Sequence, residues 1–396
     1  MAIVAHDPYL SSVRVWLLIP ALLASAPLSI AAQRDAATVA ADRTPRRVVL
    51  AVIGALAGGA GAAVLNRDGT GTSCRACYIG GGALIGGIAG MFIGRELDQM
   101  YAVRYRGVPR LRIPFIEQAL DDDPLALTAR DTLLAVATSS GVTILSSTGG
   151  LHARGRRANG IRGISALDLT GRTHALAVAT PTGLYLYPPI RGPGVLLREG
   201  TIQAATASDD HVFFALGPRI EWAPVPIDSA GPWPGVDLGA RVADLEWEEE
   251  RQILWALTDT LVLALQWTGQ GLHLASGTRV EPGGRSLTAR GDRLAVVLGG
   301  AGVAIFDSSD PSRVREVGRW AEARFVYDVA LAGERLYAGA GPEGVFVIDA
   351  ATAPLRTIGL AFDLGFAASL LSREGYTYIL DRRTSSVRRI STPTTR

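Results

Sequence analysis

The residues able to do chemistry are few, and two of them stand together. Cys74 and Cys77, the two cysteines of the chain, form C-x-x-C in the stretch NRDGTGTSCRACY. That spacing serves a redox pair, half of a zinc site or a small disulfide. A thioredoxin-type role needs a βαβ context, which the flanking sequence lacks. Zinc needs further ligands, and no histidine or second cysteine pair is near. A local disulfide in an oxidising compartment is the plainest expectation, with two unpaired thiols as the alternative. Tyr78 stands where haem attachment needs a histidine. The histidines, His6, His152, His174, His211 and His273, are scattered without metal-ligand spacing. Asp209-Asp210-His211 reads as a turn. Asp121-Asp122-Asp123 reads as a solvated turn, because no Gly-containing loop with a terminal Glu follows it. There is no G-x-S-x-G, and the Gly-rich stretch from Ala57 to Ala63 lacks dinucleotide-binding spacing. Every basic side chain other than histidine is arginine, which excludes a P-loop lysine. No catalytic residue, metal ligand or cofactor is nominated, and the question of enzymatic activity stays open.

The chain has 39 basic and 37 acidic residues, a formal charge of +2. Nucleic-acid binding calls for a basic stripe. Only short clusters occur, Arg154 with Arg156-Arg157 and Arg382-Arg383 with Arg388-Arg389, and each reads as solvated surface. Nucleic acid is therefore not an expected partner. Of the tryptophans Trp222, Trp233, Trp247, Trp255 and Trp267, most are expected in the core. Trp233, in Gly231-Pro232-Trp233-Pro234-Gly235, is expected to be exposed and to touch a partner, because it sits in a Pro/Gly loop.

The elements that must carry these residues repeat. Apolar runs begin at Leu133, Ala175, Val212, Ile253, Leu294, Leu336 and Tyr376, in steps of 42, 37, 41, 41, 42 and 40 residues. Each unit reads as short β-rich runs punctuated by Gly, Asp, Pro and Ser. Residues 286–320 show four such runs: Leu287–Arg290, Leu294–Leu298, Val303–Phe306 and Val314–Val317. Four strands per unit at this period predict a mainly β fold, a seven-bladed β-propeller over 110–396, with six or eight blades left open by the uneven steps. The nearly all-apolar second run of each unit suits a strand buried on both faces between blades. The last unit supplies three runs, Ala367–Leu371, Tyr376–Leu380 and Val387–Ser391. The fourth is expected to be Arg110–Ile116, closing the ring and hiding an edge.

Units five and six, with Gly302-Val303-Ala304-Ile305-Phe306-Asp307 followed by Ser308-Ser309-Asp310-Pro311, and Gly344-Val345-Phe346-Val347-Ile348-Asp349, resemble the LVIVD-repeat propellers. Units one to four lack the Asp. The resemblance implies a propeller with an extracytoplasmic habit and no reaction.

The first hundred residues differ in composition. Val15–Ala31 is uncharged and ends in small residues, so 1–31 is expected to be a signal peptide cleaved after Ala31 or Ala32, the alternative being an uncleaved anchor. Residues 32–47 read as a linker, 48–96 as a helical hairpin and 97–109 as a second linker. Gly54, Gly58 and Ala62 recur every four residues in the first arm, and Gly82, Gly86, Gly90 and Gly94 in the second. On helices such stripes let two backbones touch, as small-xxx-small helices do in lipid. The pair resembles the glycine-zipper segments of bacterial envelope proteins, which implies a membrane hairpin and homo-oligomerisation through it. Arginines flank both ends, which the positive-inside rule would place in the cytoplasm, whereas a cleaved signal places them outside. Export is favoured, with an inner-membrane protein carrying a cytoplasmic propeller as the alternative.

Two functions follow. The first is an envelope protein presenting the propeller loops to protein or glycan partners. The second is a propeller enzyme or ligand sensor whose site is assembled at the central channel from several blades. Converging carboxylates, histidines or arginines at the channel would favour the second.

Overall fold

A strand that is apolar on both faces is stable only between two neighbours, and that requirement organises this chain. The computed structural model describes residues 105, 107–158, 160–188, 192–227, 231–351 and 353–392. The chain divides into two compact units, 1–107 and 108–396. In the second unit the strands form seven four-stranded antiparallel sheets, the blades of a propeller. The expected signal segment, the Gly-rich hairpin with its stripes, and Cys74 and Cys77 lie outside the described residues. Among the described residues no helix is long and apolar enough to cross a membrane.

Blades 1 to 6 are built from consecutive strands. Their inner strands are Pro124–Arg130, Ala166–Leu169, Ala204–Ala207, Val242–Glu248, Ser286–Arg290 and Asp328–Ala332; that of blade 7 is Ala367–Arg373. Each inner strand lies beside the inner strands of the flanking blades, and blade 7 meets blade 1. The second strands, such as Leu133–Thr138 and Arg293–Val297, are buried almost throughout. They feed apolar clusters shared between adjacent blades: Leu176 and Val178 with Ala135 and Ile144, for example, and Leu254 with Phe213 and Ile220. A fully buried Leu or Phe contributes about 1.5–3 kcal/mol, so each blade depends on both neighbours.

The ring closes as expected but in a shifted position. The fourth strand of blade 7 is Phe115–Ala119, paired with Ser386–Ser391, and not Arg110–Ile116. The segment before it serves blade 6 instead. The Leu111 N–H donates to the Leu360 carbonyl (3.0 Å) and the Leu360 N–H to the Pro109 carbonyl (2.9 Å). Leu111 and Ile113 pack on the apolar cluster shared by blades 6 and 7. Pro114, without an N–H, separates the two pieces.

The Gly-Val steps of units five and six have a steric cause. Gly302 (φ 85°) and Gly344 (φ 97°) precede the third strands of blades 5 and 6. A Cβ on either would collide with the fourth-strand carbonyl of Trp320 or Ala361. Asp307, at the end of the Gly302 run, accepts from the Ser309 N–H (3.1 Å) and hydroxyl (2.6 Å) and pairs with Arg315, and these partners hold its pKa at about 2.

Two expectations about side chains are corrected. Trp233 is only 8% exposed. Its indole N–H donates to the Leu197 carbonyl (3.1 Å) and its ring packs between blades 2 and 3 with Leu184 and Phe214. Proline and glycine fix the turn here without exposing the ring between them. Nor are Arg388 and Arg389 solvated. Arg388 is 1% exposed, bonded to Glu117 (3.0 Å) and Asp381 (3.2 Å), with Nη1 donating to the Asp363 carbonyl (2.8 Å) and the guanidinium over the Phe115 ring. It ties the closing strand to its blade. Removing one partner of a buried pair leaves the other uncompensated, at a cost of about 3–5 kcal/mol. Arg388→Ala is therefore expected to lower the thermal midpoint by several degrees in a calorimetric scan; an unchanged midpoint would show that the closing strand does not depend on this arginine.

Candidate functional site

The inner strands converge on a central channel with a cavity of about 510 Å³. They all run from one face of the disc, here the top, to the other, the bottom. Around the wall runs a belt of polar side chains: Thr128, Asp168, Thr206, Asp244, Ser286, Asp328 and Ser369, one per blade. The belt stitches blades together. Asp168 Oδ2 accepts from the Ala207 N–H of blade 3 (2.8 Å) and the Thr206 hydroxyl (3.0 Å); its Oδ1 accepts from the Thr128 hydroxyl of blade 1 (2.7 Å). The Trp247 N–H of blade 4 donates to Thr206 Oγ1 (3.2 Å). Asp244 Oδ2 accepts from the Leu287 N–H of blade 5 (2.9 Å). Asp328 accepts from the Ser286 hydroxyl (3.1 Å), the Ser369 hydroxyl (2.9 Å) and the Leu370 N–H (2.9 Å), linking blades 5, 6 and 7. Each short side chain thus satisfies a neighbouring strand at the crowded axis.

Glu246, two residues beyond Asp244 on the same strand, also lines the channel. Burial pushes its carboxyl well above the usual range, and Asp244, Asp168 and Asp328 push it further while Arg373 opposes them. Burial also raises Asp328. It raises Asp244 to about 7, although the Leu287 and Leu245 N–H groups favour its charged form.

The bottom rim is cationic and anionic in turn. Arg130 pairs with Asp209 and with Glu249 (3.0 Å). Arg290 donates to the Ser372 carbonyl (2.7 Å). Asp209-Asp210-His211 forms the expected turn there, with His211 Nδ1 2.7 Å from Asp210.

The top rim carries an aromatic group. Phe325 and Tyr327 meet edge to face at 4.9 Å and Tyr327 meets Phe366 at 5.4 Å. Arg285 lies over the Phe325 ring at 5.0 Å. Their connector is held to two turns, by Val326 N–H to the Gly299 carbonyl (3.0 Å) and Tyr327 N–H to the Gly339 carbonyl (2.8 Å). Tyr327 is 38% exposed. Arg285 and Tyr327 line the channel as well, so the patch is continuous with it.

The channel therefore gathers the carboxylates and arginines of several blades, and none of these was nominated from the sequence. Among the described residues, no group of three His, Cys, Asp or Glu is placed to hold a metal. The available signal was an Asp, Ser or Thr within the short run ahead of each second strand. The half-buried Phe325 and exposed Tyr327 left a signal in the Phe-Val-Tyr alternation before Asp328.

No family model matches the chain, and no curated protein does. The likeness to LVIVD-repeat propellers accordingly rests on the residues quoted for it. Among solved structures, the chain is similar to the β-propeller domain of Cps50 (Swd1) from Myceliophteria thermophila, with a TM-score of 0.57 at 12% identity over 72% of this chain and 100% of that one. It is similar to U3-55K, with a TM-score of 0.58 at 12% identity over the same shares. It is also similar to the WD40 repeats of RRP9, with a TM-score of 0.56 at 11% identity over 72% of this chain and 99% of that one. At these identities the likeness shows the fold: a seven-bladed β-propeller.

The buried channel acids make stability depend on pH in an unusual direction. In the unfolded chain Asp244, Glu246 and Asp328 lose their protons near pH 4; in the folded chain they keep them to higher pH. Between those limits the native state binds more protons, so stability falls as pH rises, and for Asp244 the fall ends near pH 7. Each unit of upward shift costs about 1.4 kcal/mol. The thermal midpoint is expected to be lower at pH 8 than at pH 5. Glu246→Gln, which sacrifices no hydrogen bond, is expected to raise the midpoint more at pH 8 than at pH 5. Equal shifts at both pH values would contradict this.

Proposed function

We propose that the propeller is a protein-binding scaffold that docks its partner on the top face, and that the N-terminal segment places it in the cell envelope. The observation that carries the docking reading is the aromatic group at the channel mouth. Phe325, Tyr327 and Phe366 with Arg285 combine residue types that dominate interface energetics, on a connector fixed by backbone hydrogen bonds. A preordered aromatic surface binds without a large ordering cost. The fold shared with the RRP9 WD40 repeats supplies a scaffold whose function lies in the surface its loops carry. Support for the envelope comes from the sequence: the uncharged Val15–Ala31 run and the small-residue stripes at Gly54, Gly58 and Ala62 and at Gly82, Gly86, Gly90 and Gly94. Membrane attachment through that hairpin, with self-association along its stripes, belongs to the same proposal.

The docking reading is tested with a photo-crosslinking amino acid at Tyr327, and in a control protein at Glu334 in a bottom-face hairpin. Discrete adducts from position 327 alone, weakened when Phe325 is changed to alanine, are expected. Identical adducts from both positions, or none from 327, would contradict top-face docking. The envelope reading is tested by protease digestion of intact cells and spheroplasts, with sequencing of the mature N-terminus. A start near Ala32 and digestion no later than the spheroplast stage are expected. Retention of Met1 with resistance until the inner membrane is broken would place the propeller in the cytoplasm.

A further inference from the structure

Two oppositely charged side chains face the channel cavity and act on each other only at a distance. Glu246 lies within the inner strand of blade 4, and Arg373 ends the inner strand of blade 7, across the ring from it. Neither makes a hydrogen bond or ion pair with a described residue. The other charged groups of the wall are committed. Asp168, Asp244 and Asp328 accept from backbone N–H groups of neighbouring blades. Arg130 pairs with Asp209 and Glu249, Arg290 donates to the Ser372 carbonyl, and Arg285 stacks on Phe325. Between Glu246 and Arg373 lies a cavity of about 510 Å³, walled also by Leu127, Ala166, Ala205 and Leu371.

We propose that this channel binds a small zwitterion, an α- or ω-amino acid, with its ammonium group on the Glu246 carboxylate and its carboxylate on the Arg373 guanidinium. Both side chains are half-buried on the wall of one cavity and carry opposite formal signs. A ligand bearing both complementary charges compensates both at once. The guanidinium fork suits a carboxylate, which it can hold through two parallel hydrogen bonds. The carboxylate of Glu246 is the one on the wall whose lone pairs are not taken by the belt, which suits the N–H donors of an ammonium group. Small aliphatic side chains on the wall suit a short hydrocarbon body, and the cavity is of the size that holds small ligands. Burial and the neighbouring acids push the Glu246 carboxyl above its usual range; an ammonium group beside it favours the ionised form, so binding shifts it toward the carboxylate. This reading is independent of docking at the top face, since it concerns groups inside the channel.

The test is titration calorimetry on the intact chain with glycine, β-alanine, 4-aminobutyrate and 5-aminovalerate, each in two buffers of different ionisation heat. Butylamine and butyrate, which each carry one of the two charges, serve as controls. At least one amino acid is expected to bind, and to exceed both single-charge controls about tenfold or more in affinity. Glu246→Gln and Arg373→Gln are each expected to weaken that binding by a similar factor while melting cooperatively. The proposal is overturned if no amino acid in the panel binds. It is equally overturned if a single-charge control binds as tightly as the zwitterion, a result read on the unaltered chain, or if both variants keep full affinity.

Discussion

The constraint on which the structure depends is the convergence of seven inner strands at one axis. Backbone N–H groups there cannot all reach a neighbouring strand of their own sheet, and bulky side chains have no room. The chain solves this with short polar side chains. Asp168, Thr206, Asp244 and Asp328 each accept an N–H from the next blade, so that the blades are tied by hydrogen bonds at the axis and by apolar clusters further out. The two sets of contacts act together. The apolar clusters supply most of the favourable free energy, and the belt fixes the blades at one angle and leaves a channel rather than a filled core.

That solution has an electrostatic consequence. Three belt aspartates and Glu246 share a small volume, and burial raises Asp244, Asp328 and Glu246 together. The aspartates are compensated by the N–H groups they hold. Glu246 holds no such group and is opposed only by the charge of Arg373 across the ring. A residue that costs stability without stitching the ring is the kind that function retains. Arg373, on the wall across the ring, carries the opposite charge. The top face, by contrast, presents aromatic rings on a rigid connector, so the two ends of the same channel offer different chemistry.

The architecture was legible in the sequence because its signals are local. The second strands start within one residue of the positions read from the repeat, and Gly302 and Gly344 mark the third strands they were taken to begin. The closing strand was legible in kind but not in register, because Pro109–Ile113 pairs with and packs on blade 6, a contact far away in sequence. Trp233 misled for a related reason: a Pro/Gly loop specifies a turn, while burial depends on Leu197 and Phe214 of other strands. The channel was not legible at all. Asp168, Asp244, Glu246, Asp328 and Arg373 come from four blades, and only the ring brings them together.

The central claim is that the belt holds the inner strands into one cooperative ring, and native-state hydrogen exchange tests it most directly. The amides of Ala207, Leu287 and Leu370, which donate across blades to Asp168, Asp244 and Asp328, are predicted to exchange only through global unfolding, with the same opening free energy as the second-strand amides. Exchange of any of the three through local opening, at rates like those of the exposed turns, would show that the blades are held by their apolar clusters alone and that the belt does not close the ring.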